Sequence, residues 1–177
     1  SLESATLHPL QSLTDLITIG EVFKEKRKPR IVLTWAPHVK ALPQCVANSF
    51  AQWINAWGGA EFLITHPEDY TLDEKYTNGA TITHNQSEAL KGADFVYIKN
   101  WSTYEDYGRI YCNDPKWMLT NEKLKLTNNA RVMHCLPVRR NVEVSDEILD
   151  GPNSIVTQQA ANRVWAAQAV LREILLK

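Results

Sequence analysis

Three short segments concentrate cationic and imidazole side chains: Trp35-Ala36-Pro37-His38-Val39-Lys40, Lys99-Asn100-Trp101, and Cys135-Leu136-Pro137-Val138-Arg139-Arg140-Asn141. A guanidinium, an ammonium and an imidazole brought to one place bind phosphate and carboxylate groups. A lone His or Lys at the end of a strand is usually decorative, but three such segments on one rim point to an anion-binding crevice. The other common chemistries are missing. The seven glycines form neither GxGxxG nor GxxxxGK, so no dinucleotide or P-loop phosphate cradle is indicated. No Ser nucleophile elbow occurs. Cys135 follows His134 directly, and neighbours on a strand point to opposite faces, so His134 is badly placed to activate the thiol.

The elements that must position these segments alternate. Leu10 to Lys26 has helical periodicity, and Arg30–Trp35 is a short buried strand behind Pro29. Pro43 to Trp57 reads as a helix closed by Gly58-Gly59. Further strands are expected at Glu61–Thr65, Ala80–Thr83, Ala93–Ile98 and Arg131–His134, with a helical turn at Glu88–Lys91 and a short extended piece at Ser154–Thr157. Gln158 to Leu176 is an amphipathic helix, and Trp101–Asn129 is the longest irregular stretch. The fold expected is α/β: a Rossmann-like parallel sheet of about five strands with helices on both faces. In such sheets ligands sit beyond the carboxyl ends of the strands, where all three cationic segments fall.

The composition fits one globular domain. The chain has 177 residues, 19 Lys plus Arg against 20 Asp plus Glu, and 44% apolar residues. A net charge of −1 gives no basic excess for nucleic acid or an anionic membrane. No apolar run approaches the roughly 20 residues that span a bilayer. Three scattered cysteines, Cys45, Cys112 and Cys135, and no CxxC suggest neither a disulfide framework nor a zinc site. The chain opens without Met or a leader-like segment, and a piece of a longer protein is the expectation.

His8-Pro9-Leu10-Gln11 at a helix start, His134-Cys135-Leu136-Pro137 after the last central strand, and Arg163 in the final helix together resemble the aspartate/ornithine carbamoyltransferase family. The resemblance covers nearly the whole chain and is to the second, amino-acid-binding half. It implies that residues 1–24 form a crossover helix with a carbamoyl-phosphate-contacting motif. Residues 25–157 would form the ornithine-binding α/β domain, and 158–177 a helix returning toward the partner domain. His8, Gln11, Cys135, Leu136 and Arg163 would hold carbamoyl phosphate, with His8 donating to the carbamoyl oxygen and Gln11 and the Leu136 carbonyl accepting from its nitrogen. The carbonyl of Leu136, before a proline, would be fixed by an extended backbone, and the Leu136–Pro137 bond is expected to be cis.

Lys99-Asn100-Trp101 stands where ordinary ornithine enzymes of the family carry Ser-Met-Gly. A lysine there repels a free α-ammonium and welcomes an acylated amine with a carboxylate beside it. The resemblance is therefore to the N-acylornithine enzymes, nearest to the succinylornithine type, with Glu3, His38, Lys99 and Arg139 as substrate-binding residues. Glu143 falls where some acetylornithine enzymes have a modified, negatively charged lysine; as a sequence position it reads equally as a solvated loop charge. The family implies no cofactor or metal, carbamoyl phosphate and an N-acylornithine as substrates, a homotrimer, and a cytoplasmic role in arginine biosynthesis. The family's Ser-x-Arg-Thr phosphate loop does not occur in these residues, so they are expected to be inactive alone. The apolar faces of the first and last helices are expected to lack a partner. The rival readings are an ordinary ornithine carbamoyltransferase and a non-catalytic amino-acid-binding domain.

Overall fold

The computed structural model describes residues 3–176. In chain order the elements are α1 (Pro9–Val22), β1 (Arg30–Trp35), α2 (Cys45–Trp57), β2 (Glu61–Thr65), α3 (Glu74–Thr77), β3 (Thr81–Thr83), α4 (Gln86–Leu90), β4 (Phe95–Lys99), α5 (Asn121–Leu124), β5 (Arg131–Met133), α6 (Asp146–Leu149) and α7 (Val156–Leu175). The five strands form one parallel sheet in the order β3-β2-β1-β4-β5. The chain leaves β1 in one direction and returns to its other side at β4. That reversal opens a crevice between the carboxyl ends of β1 and β4.

Alternation along the strands covers the sheet on both faces. Ile31, Leu33 and Trp35 pack with Phe50, Ile54, Phe95, Tyr97 and Met133 on one side. Val32 packs with Leu90, Val96, Val132, Val144 and Ile148 on the other. At the amino ends of β1 and β4, the Asp94 carboxylate accepts two Arg27 bonds (2.6 and 2.7 Å), the Arg30 N–H (2.8 Å) and the Asn128 amide (2.8 Å). The two strands at the crevice are thus locked at their far ends. Gly58 closes α2 with φ +63, a left-handed conformation that glycine adopts without a Cβ clash.

Several boundaries differ from those expected. Helix α1 stops at Val22, short of Lys26, because Phe23 turns extended and Arg27 is drawn onto Asp94. Helix α2 starts at Cys45, two residues after Pro43, since the Gln44 amide is pulled away to the carbonyls of Ser102 and Thr103. Strand β4 is shifted forward: Asp94 serves as the anchor, and Lys99 is the last strand residue. Strand β5 ends at Met133, before His134. Residues 154–157 are not a strand segment. Ser154 makes one bridge to Val132, and α7 begins at Val156. The stretch from Trp101 to Asn129 holds a 3-10 turn at Pro115–Trp117 and α5.

Helices α1 and α7 lie together along a polar seam. Gln159 donates to Asp15 (2.7 Å), Asn162 to Thr18 (3.0 Å), and Gln158 and Asn162 to Glu21 (3.1 and 2.7 Å). Val164, Leu171 and Ile174 of α7 are more than half exposed. Asp15 is fully buried in this seam. Burial raises its pKa from 3.8 to about 7, against the opposing bonds from Gln11, Gln159 and Tyr97 and the charge of Arg163. The folded chain therefore keeps a proton that the unfolded chain gives up above pH ~4. Stability falls as pH rises from about 4 to about 7 and this contribution is constant beyond. Asp15→Asn removes that loss. The unfolding free energy of the variant minus that of the parent is expected to grow across this window, by at most about 4 kcal/mol, and to level off above pH ~7, as read from denaturant titrations at each pH.

Candidate active site

A cleft of about 640 Å³ opens at the carboxyl ends of β1, β4 and β5. It is lined by all nine residues singled out from sequence: Glu3, His8, Gln11, His38, Lys99, Cys135, Leu136, Arg139 and Arg163. Three are delivered by helices. His8 caps α1, its backbone N–H donating to Ser49 Oγ of α2 (2.7 Å), and its Nε2 lies 3.7 Å from Glu3 Oε2. Gln11 follows one turn later, and Arg163 comes from α7. Glu3 lies in the segment before α1, and the other five come from the sheet rim. His38 is held by its Nδ1, 3.0 Å from the Lys40 N and 2.8 Å from the Lys40 O. The first turn of α2, Cys45 and Val46, completes the wall with Lys40, Leu42 and Pro43.

Lys99 is 7% exposed, so a primary ammonium sits almost out of solvent at the end of a strand. Its charge reaches Glu143, which is 0% exposed. The reading of Glu143 as a solvated loop charge is therefore wrong. Its Oε2 accepts the Arg139 N–H at 2.8 Å and its Oε1 lies 3.3 Å from His134 Nε2. Burial works to raise its pKa, but the His134 bond, the Arg139 N–H and the Lys99 charge outweigh it and hold the carboxyl below its ordinary range. His134 is kept neutral by burial, although Glu143 pulls the other way. Its Nδ1 accepts the Leu136 N–H at 2.9 Å, which assigns the ring proton to Nε2, facing Glu143. One buried carboxylate thus shapes the whole turn from His134 to Arg139.

Cys135 is buried, and burial pushes its thiol upward despite nearby Lys99, so it is a neutral group. His134 is turned to Glu143 and does not serve it. The Leu136–Pro137 bond is cis, as expected, but Leu136 has φ +56. It is left-handed rather than extended, because the His134 ring captures its N–H. Arg140 leaves the rim and pairs with Asp146 and Asp150 on the surface.

Sequence reasoning missed the support beneath the cleft. Asp15, Tyr97 and Gln159 are buried behind Gln11 and Cys135. The signal was present for Asp15, since a position four residues after Gln11 shares its helix face. Among the described residues no group of three or more His, Cys, Asp or Glu side chains is arranged to hold a metal, and no helix is long and apolar enough to cross a membrane.

The model of the aspartate/ornithine carbamoyltransferase Asp/Orn-binding domain matches residues 44–174. The chain belongs to this family. It is 50% identical over 177 residues to an N-succinylornithine carbamoyltransferase of Bacteroides fragilis, covering 99% of this chain and 55% of that protein. It is 34% identical over 190 residues to an N-acetylornithine carbamoyltransferase of Xylella fastidiosa, covering 97% of this chain and 56% of the relative. Its structure is similar to that of an N-acetyl-L-ornithine transcarbamylase, with a TM-score of 0.86 at 32% identity over 96% of this chain and 57% of that one. A variant of that enzyme complexed with carbamyl phosphate and N-succinyl-L-norvaline matches with a TM-score of 0.84 at 33% identity. The chain spans just over half the length of these relatives.

Glu143 uses both oxygens as acceptors, and an amide has only one. In Glu143→Gln an NH2 group must face either the Arg139 N–H or the His134 Nε2–H. The variant is expected to lose roughly 1.5–3 kcal/mol of stability, measured by urea unfolding at neutral pH.

Proposed function

We propose that the protein of which this chain is a part transfers the carbamoyl group of carbamoyl phosphate to the δ-amine of an N-acyl-L-ornithine, with N-succinylornithine as the acceptor. The amine attacks the carbamoyl carbon, a C–N bond forms, the C–O bond to phosphate breaks, and the proton lost by nitrogen leaves with the phosphate. No cofactor or metal takes part. His8, Gln11, Cys135, Leu136 and Arg163 surround the carbamoyl phosphate end, where His8 donates to the oxygen that gains charge on attack. Glu3, His38, Lys99 and Arg139 take the acylated amino acid. Orientation and charge stabilisation carry the rate, since no side chain of the cleft is an evident base for the amine.

One observation carries the choice of acceptor: the buried Lys99 ammonium in the wall of the cleft. It opposes a free α-ammonium and attracts a carboxylate, which favours an acylated ornithine over ornithine itself. The similarity to named N-succinylornithine and N-acetylornithine enzymes supports the same reading. A homotrimer acting in the cytoplasm, in arginine biosynthesis, belongs to this proposal, as do the crossover roles of α1 and α7 toward the other half of the protein.

The test uses the full-length protein with N-succinyl-, N-acetyl- and free ornithine. Turnover is expected with the acylated substrates, best with N-succinylornithine. Lys99→Met keeps most of the stem and removes the charge. It is expected to lower kcat/KM for N-succinylornithine roughly ten- to a hundredfold, the value of one charged hydrogen bond, while KM for carbamoyl phosphate changes much less. Free ornithine is expected to lose less, because a like charge has gone. Equal losses for acylated and free ornithine overturn the N-acyl assignment.

A further inference from the structure

Gln11 carries an acceptor with nothing to accept from. Its carboxamide oxygen is buried, has no hydrogen-bond partner among the described residues, and belongs to a side chain that lines the cleft and is only 2% exposed. The nitrogen end is occupied: Nε2 donates to Asp15 Oδ1 at 2.8 Å. The same Oδ1 accepts from Gln159 Nε2 at 2.7 Å, and the oxygen of Gln159 accepts the backbone N–H of His134 at 2.9 Å. Three hydrogen bonds thus run from the turn before Cys135-Leu136-Pro137, through α7 and α1, to the amide of Gln11.

The chain has a direction. A backbone N–H can only donate, so it fixes the oxygen of Gln159 toward His134 and the nitrogen of Gln159 toward Asp15. Asp15 Oδ1 can only accept here, so it fixes the nitrogen of Gln11 inward. That leaves the oxygen of Gln11 for the cleft. Without Asp15 the two orientations of the amide differ little in shape, and half of them would turn NH2 toward the ligand.

Building on the carbamoyl-transfer reading, we infer that Asp15 is a positioning residue: it orients the Gln11 carboxamide so that the cleft accepts from the NH2 of a carbamoyl group and discriminates against an isosteric methyl group. The side chain touches no ligand itself. It acts through Gln11, and the polarity of that bond, rather than the presence of a buried side chain, is what the site uses. Asn at this position keeps the function, because Gln159, pinned by His134, requires an oxygen from residue 15 just as the aspartate supplies it.

The experiment compares carbamoyl phosphate with acetyl phosphate, which replaces NH2 by CH3, in the full-length protein. In Asp15→Leu, KM for carbamoyl phosphate is expected to rise roughly ten- to a hundredfold, the value of a hydrogen bond lost to the carbamoyl nitrogen, while the inhibition constant of acetyl phosphate stays near that of the parent. Asp15→Asn restores most of the carbamoyl phosphate affinity. Gln11→Ala shows the same selective loss, and adding Asp15→Leu to it costs nothing more. If Asp15→Leu does not accumulate folded, Asp15→Ser, too short to reach both amides, takes its place with the same expectation. Equal weakening of both phosphates, failure of Asp15→Asn to restore affinity, or additive losses in the double variant overturn the role of Asp15. Absence of carbamoyl transfer by the parent protein to any acylated ornithine overturns the functional reading instead.

Discussion

The cleft depends on two opposite charges held out of water. Lys99 ends a central strand with its ammonium nearly buried, and Glu143 lies fully buried behind the next strand's turn. An isolated charge in such a place costs several kcal/mol, so the Lys99 charge, together with the bonds from His134 and the Arg139 N–H, keeps Glu143 ionised. Glu143 does more than balance Lys99. By accepting from His134 and Arg139 it folds the turn that presents Cys135, Leu136 and Arg139 to the cleft. With Lys99 neutral, Glu143 keeps its bonds to His134 and the Arg139 N–H, so the turn keeps its shape while the cleft loses its charge.

The parallel sheet explains why the charges meet. Strands β1, β4 and β5 run side by side and end at one rim, so residues far apart in the chain arrive together without long loops. Asp94 and Arg27 fix the opposite ends of β1 and β4, and the aromatic contacts of Trp35 with Tyr70 and Trp117 pack the base of the β1 turn. The α1–α7 seam then lays His8, Gln11 and Arg163 across the top. The cationic wall comes from the sheet and the amide and imidazole wall from the helices.

Strands β1 and β2 were legible to the residue because each is an apolar run bounded by Pro, Gly or charge. The nine cleft residues were legible because strand ends of a parallel sheet share a rim and because the motifs are specific. Short helices such as α3 and α6 were not, since four residues carry no periodicity and their ends are set by local hydrogen bonds, as where Asp73 accepts the Lys75 N–H. Glu143 was ambiguous for a different reason. A carboxylate in a polar loop gives no sign of burial, which depends on His134 and Lys99 arriving from other strands. The left-handed Leu136 was hidden likewise, because a side chain two residues back sets its backbone.

In the proposed function one cleft at this rim holds both substrates, the carbamoyl end against Gln11 and His8 and the acylated amino acid against Lys99. The most direct measurement is a crystal structure of the full-length protein with a bisubstrate analogue joining a carbamoyl phosphate mimic to N-succinylornithine. The account predicts a substrate carboxylate within hydrogen-bond distance of Lys99 Nζ and the mimic's carbonyl beside His8, with Glu143 still buried against His134. An analogue seated outside the cleft, or one whose carboxylates all avoid Lys99, would contradict it.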